Sequence, residues 1–231
     1  MKNIAIIPAR GGSKRIPRKN IKDFLGKPII AYSIEAALGS EIFDEVMVST
    51  DDTEIAEIAK KYGASVPFFR SIENSNDYAT TSLVLIEVLN QYQKINRNFD
   101  YLCCIYPTAL FVNKCKIQEA FKIMLEKESD SIIPVVKFSY PVQRSFRLNK
   151  NGILEYIWTE NIAKRSQDLE PIYHDAGQFY WCKVKSFLKD KTVITKNNFP
   201  FILEQTEVQD IDTEEDWKIA ELKYKILHKD L

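Results

Sequence analysis

Asn3-Ile4-Ala5-Ile6-Ile7 runs without a break into Pro8-Ala9-Arg10-Gly11-Gly12-Ser13-Lys14-Arg15-Ile16-Pro17-Arg18-Lys19-Asn20. Ile4 to Ile7 are apolar in succession, the pattern of a strand covered on both faces of a parallel sheet. The loop that follows sets five cations, Arg10, Lys14, Arg15, Arg18 and Lys19, around Gly11 and Gly12. Glycine admits positive φ and leaves no Cβ between backbone N–H groups and phosphate oxygens. A cationic glycine loop at the carboxyl end of such a strand is where open α/β sheets bind ligands. Its spacing matches neither a Walker A loop nor a Gly-x-Gly-x-x-Gly fingerprint. The loop therefore points to a triphosphate or pyrophosphate held by another scheme; a plain solvated turn is the alternative.

Outward from this loop, strand-like and helix-like segments alternate to about residue 137. Helices are expected over Pro28–Leu38, from Asp51-Asp52 to Tyr62, from Thr80 or Thr81 onward, and over Lys116–Lys127. Strands are expected over Glu45–Thr50, Ala64–Phe69, Tyr101–Ile105 and Ser131–Val136. This alternation implies an α/β fold with a doubly wound, mostly parallel sheet. From Phe138 the pattern changes to turn residues and short antiparallel segments, so residues 1–231 read as one domain with an arm inserted at roughly 138–180. A strand near Pro200–Glu204, the segment Val208–Asp212 and a helix over Thr213–Leu227 complete the chain.

Lys+Arg and Asp+Glu both total 32, which removes the overall basic field expected of a nucleic-acid binder. No stretch approaches the ~20 apolar residues of a membrane span, and the short run after Met1 does not read as a signal segment. Cys103, Cys104, Cys115 and Cys182 lack Cys-x-x-Cys spacing. Cys103 and Cys104, adjacent in a strand, should face opposite sides as small buried hydrophobes. The expectation is a reduced, cytoplasmic protein.

Asp210-Ile211-Asp212 is the second constellation. In an extended chain, i and i+2 share a face, so both carboxylates point one way and Ile211 the other. Paired carboxylates are hard oxygen ligands for Mg²⁺ or Mn²⁺. Alternatively, Asp212 caps the helix that follows and Asp210 is solvated.

Ile7 to Lys14, Pro17-Arg18-Lys19-Asn20, Gly26-Lys27-Pro28 and Asp210-Ile211-Asp212-Thr213-Glu214-Glu215-Asp216-Trp217 together resemble the CMP-sialic acid synthetase family, over most of the chain and in the same order. The resemblance implies a nucleotide-diphospho-sugar transferase type of fold, CTP and a nonulosonic acid as substrates, a divalent metal, and a homodimer built partly through the arm. It implies nucleotide binding by Ala9, Arg10, Gly11, Gly12, Ser13, Lys14, Lys19 and Asn20, with Ser82 and Arg70 at the cytidine. Arg10, Lys19 and Asp212 are implied as catalytic, Asp210 and Asp212 as metal-binding, and Arg165 as lying near the acidic sugar.

Ile105-Tyr106-Pro107-Thr108 stands where sialic acid synthetases carry Leu-Gln-Pro-Thr. With Tyr140-Pro141-Val142-Gln143-Arg144 and His174-Asp175-Ala176-Gly177-Gln178, it is more similar to the branch of that family that activates pseudaminic acid. The reaction so implied is attack of the sugar's anomeric hydroxyl on the α-phosphate of CTP, releasing pyrophosphate. Tyr106, Gln143, Arg144, Arg165, His174 and Gln178 are the sugar-side candidates, with Arg147 a further cation. His174 could shuttle a proton or orient its neighbours. N-acetylneuraminate, legionaminate or Kdo activation, a sugar-1-phosphate nucleotidyltransferase, and a nucleotide-sensing module are the competing readings.

Overall fold

The computed structural model describes residues 1–228. The apolar run after Met1 forms β1 (Asn3–Pro8), followed by a small hairpin of β2 (Asp23–Phe24) and β3 (Lys27–Pro28). Then come α1 (Ile29–Gly39), β4 (Glu45–Ser49), α2 (Thr53–Lys61), α3 (Thr81–Lys94) and β5 (Tyr101–Ile105). α4 (Lys114–Glu126) and β6 (Ser131–Lys137) precede the arm strands β7 (Phe146–Leu148) and β8 (Leu154–Tyr156). The chain finishes through β9 (Tyr173–Asp175), β10 (Phe179–Lys183), α5 (Val184–Asp190), β11 (Asn198–Leu203) and α6 (Glu214–Leu227).

The central sheet has seven strands in the order β11-β6-β10-β5-β1-β4, with β9 paired to β6. β11, β6, β5, β1 and β4 run one way, while β10 and β9 run against them. One face is covered by α1, α2 and α4, the other by α3 and α5. β1 is buried on both sides, with Ala5 and Ile7 in one core and Ile4 and Ile6 in the other. Cys103 and Cys104 divide the same way, and all four cysteines are free. A third cluster joins Phe24, Tyr32 and Trp217, fixing α6 against the start of α1.

One strand expectation is corrected. Ala64–Phe69 contributes only a bridge between Ser65 and Met47, because Pro67 has no N–H to continue the ladder. Val208–Asp212 is irregular, although its alternation survives: Ile211 is fully buried. The arm is also shorter than 138–180 at its end. Phe179, Tyr180 and Trp181 are buried within β10, between β5 and β6, because their side chains fill the cores on both faces of the sheet. What stands away from the sheet is the β7–β8 hairpin, turning at Asn149–Gly152, and the loops up to Ile172.

Candidate active site

Where β1 and β5 end, a cavity of about 290 Å³ opens. Arg10, Ser13, Lys14, Arg15 and Lys19 line it from the first loop, Arg70, Thr81 and Val84 from beyond β4, and Tyr106, Pro107 and Thr108 from beyond β5. Asp210 is the acidic residue in its wall. The first loop and the acidic segment, almost two hundred residues apart, meet directly. Lys19 Nζ donates to the Ile211 carbonyl at 2.6 Å and lies 3.5 Å from Asp212 Oδ1, which also takes Arg15 at 2.7 Å.

Asp212 does not cap α6. Thr213 does, in a reciprocal box with Asp216, whose carboxylate also accepts the Asp212 N–H at 3.1 Å. Asp210 is thereby left to the cavity wall, while Asp212, outside that wall, meets the loop cations Arg15 and Lys19. Partial burial, and then the charge of Asp212, push the Asp210 carboxyl above its usual range.

The glycines work differently from the expectation. Neither Gly11 nor Gly12 has positive φ; the left-handed residue of the loop is Arg18, at φ 55°. Gly11 is required by close approach, because a Cβ there would lie 2.7 Å from Asp52 Oδ2. Its N–H is taken by Asp51 Oδ1 at 2.9 Å and so is not offered to a phosphate. Arg18 leaves the cationic set as well, binding Asp52 and Glu54 at the start of α2. Ala9 is core, and Asn20, buried in the cavity wall, holds the loop by donating to the Arg10 carbonyl at 2.9 Å.

Of the two cytidine candidates, Arg70 lies in the wall with its guanidinium on Ser49, and burial lowers its pKa to about 10, so it stays charged at neutral pH. Ser82 lies outside the wall, which Thr81 lines. Helical spacing carries the signal: Thr81 is three residues before Val84 and shares its face, whereas Ser82 is turned away. The sequence reading also passed over Asp77, which sits on two of the loop cations. Its carboxylate pairs with Lys14 and, at 2.9 Å, with Arg10.

Asp210 belongs to a second cavity of about 340 Å³, where it meets His174, Asp175, Gln205, Gln209 and Lys223. Tyr106 forms an edge contact with Tyr180, whose hydroxyl donates to Asp175 at 2.8 Å. His174 therefore reaches the site and Tyr106 lines the first cavity. Gln178 is buried and lines neither cavity; its amide ties β10 to the Glu207 carbonyl at 2.7 Å. Gln143, Arg144 and Arg165 stay in the arm, bonded to Glu170, to Lys164 and Ser166, and to Asp168 respectively.

The chain matches the cytidylyltransferase family model over residues 4–229. It is 45% identical over 229 residues, 99% of each chain, to the pseudaminic acid cytidylyltransferase of Campylobacter jejuni serotype O:2. It is 34% identical, over 96% of this chain and 95% of the other, to the CMP-N,N'-diacetyllegionaminic acid synthase of Legionella pneumophila. Its fold is similar to that of a CMP:2-keto-3-deoxy-manno-octonic acid synthetase complexed with CTP, at a TM-score of 0.72 and 18% identity with both chains covered over 100%.

Proposed function

The chain belongs to the cytidylyltransferase family, and from that premise we propose that it transfers CMP from CTP to the anomeric hydroxyl of pseudaminic acid, releasing pyrophosphate. The observation that carries this reading is Asp210, a carboxylate shared by the cationic cavity and the polar one beside it. A triphosphate held in the first and a sugar acid held in the second would meet at that residue.

Arg10 and Lys14 would take the β- and γ-phosphates and so stabilise the charge that builds on the leaving pyrophosphate. Arg70, Thr81 and Val84 form the end of the cavity left for the nucleoside. Asp210 and Asp212 would hold a divalent ion, Mg²⁺ or Mn²⁺: the charge of Asp212 is felt at Asp210, and Arg15 and Lys19 would yield Asp212 to the metal. Among the described residues no cluster of three or more His, Cys, Asp or Glu side chains could hold a metal, so the remaining ligands would be substrate and water. Such an ion lowers the pKa of a bound hydroxyl and makes it a better nucleophile.

No helix among the described residues is long and apolar enough to cross a membrane. The four free thiols support a cytoplasmic place of action. Phe146, Leu148, Ile153 and Leu154 are exposed on the arm, which supports a homodimer built through it. Gln143, Arg144 and Arg165 lie outside both cavities, so a role toward the sugar requires the arm of a second copy.

Pyrophosphate release with CTP, Mg²⁺ and a panel of pseudaminic, legionaminic and N-acetylneuraminic acids and Kdo tests the proposal. Preference for pseudaminic acid is the expected result. Preference for another acid overturns the sugar assignment, and release with none overturns the reaction.

A further inference from the structure

A sugar acid that enters the second cavity brings a carboxylate, and the cavity wall holds one lysine to receive it. Lys223 projects from α6, nearly three helical turns beyond the N-terminal cap. Its Nζ donates to the Val208 carbonyl at 2.7 Å and the Gln205 carbonyl at 3.2 Å. Among the described residues no carboxylate lies within ion-pair distance of it. Two of its three donors are thus fixed on neutral oxygens, and the third, with the whole charge, is uncommitted. Burial lowers its pKa, as expected of a cation without a counter-charge. Arg15 and Lys19 are engaged with Asp212, Arg10 and Lys14 with Asp77, and Arg165 with Asp168, while Arg70 and Arg144, held on neutral oxygens, do not line this cavity.

We propose that Lys223 binds the carboxylate of the sugar acid, fixing the acceptor with its anomeric hydroxyl toward Asp210. The inference rests on the reaction proposed above. The two carbonyls hold the ammonium in place before substrate arrives, so little side-chain freedom is lost on binding. Charge is the feature at stake, since a neutral sugar would gain nothing from it.

The test uses the full chain, with pseudaminic acid and its methyl ester as probes and pyrophosphate release as the readout. Lys223→Gln keeps a donor for Val208 but removes the charge. It should raise the KM for pseudaminic acid by roughly ten- to a hundredfold, the range for losing a hydrogen bond between charged groups. The KM for CTP and the melting temperature should barely move, and Lys223→Arg should recover most of the loss. The methyl ester should be a poorer substrate than the acid for the wild type, but nearly equal to it for Lys223→Gln. An unchanged sugar KM in folded Lys223→Gln, with the wild type active, overturns the Lys223 assignment alone. A wild type that binds and turns over no sugar acid overturns the reaction together with it.

Discussion

The two cavities that meet at Asp210 are assembled in opposite ways. The cavity proposed for the nucleotide draws Arg10, Ser13, Lys14, Arg15 and Lys19 from one continuous loop after β1. The cavity proposed for the sugar takes residues from the end of β6, from β9, from the 205–210 segment and from α6. A triphosphate is recognised mainly as charge, and a cluster of cations on one loop can supply that. A sugar acid needs donors and acceptors in several directions, which a single short segment cannot surround. The two halves should therefore respond differently to substitution.

The largest effect should fall on the acidic pair proposed to hold the metal. Asp212→Asn should reduce kcat at least about a hundredfold with little change in melting temperature, since its side chain does not cap α6. Single-turnover rates at saturating CTP and sugar measure this, and a variant that loses only affinity would separate Asp212 from the chemistry.

Within the cationic loop, Arg10 and Arg18 test whether position matters or only charge. Arg10→Ala should raise the KM for CTP by roughly ten- to a hundredfold, as for a lost hydrogen bond to a charged group. Arg18→Ala should leave that KM within about threefold and instead lower the urea midpoint, because Arg18 is held by Asp52 and Glu54 away from the cavity. Equal effects on the KM would mean that the loop acts as a diffuse field.

Asp77 offers a smaller test on the nucleotide side. Its carboxylate pairs with Arg10 and Lys14, so an incoming triphosphate competes with it. Asp77→Asn should lower the KM for CTP roughly two- to fivefold, an exposed ion pair being weak, and leave the sugar KM unchanged. Titration with pyrophosphate alone should show the same gain.

The smallest effect concerns pH and the support beneath the loop. The hydrogen bond from Arg18 holds the Asp52 carboxyl down at about 2, against 3.8 for an unperturbed group. A depressed carboxyl pKa contributes stability that is present above 3.8 and is lost as pH falls through about 2. The stability difference between wild type and Asp52→Asn should be flat above about pH 5 and close between 4 and 2 in urea titrations. A difference that stays constant to pH 2 would remove the ion pair as its cause.

How much could be read beforehand follows the same division. The buried run of β1, the loop cations Arg10, Lys14 and Lys19, and the outward pair around Ile211 are written in contiguous residues, whose spacing fixes what they share. Gln143, Arg144 and Arg165 carry suitable chemistry for a sugar acid, but within one chain their arm neighbours hold them outside both cavities. Lys223 carries no local signal in the sequence; its place comes from the Gln205 and Val208 carbonyls packed against α6. Thr81 lines the cavity and Ser82 does not, a difference of about 100° of rotation between neighbours on a helix.

Sequence alone determined the α/β class, the cationic loop and the acidic pair, because each depends on local periodicity and on residues close together in the chain. Only the tertiary structure decided that β10 enters the sheet antiparallel, that Arg18 serves α2 while Arg15 and Lys19 reach Asp212, and that Lys223 faces the second cavity. Those outcomes depend on which distant groups come within a few ångströms, and packing of the sheet and its helices sets that.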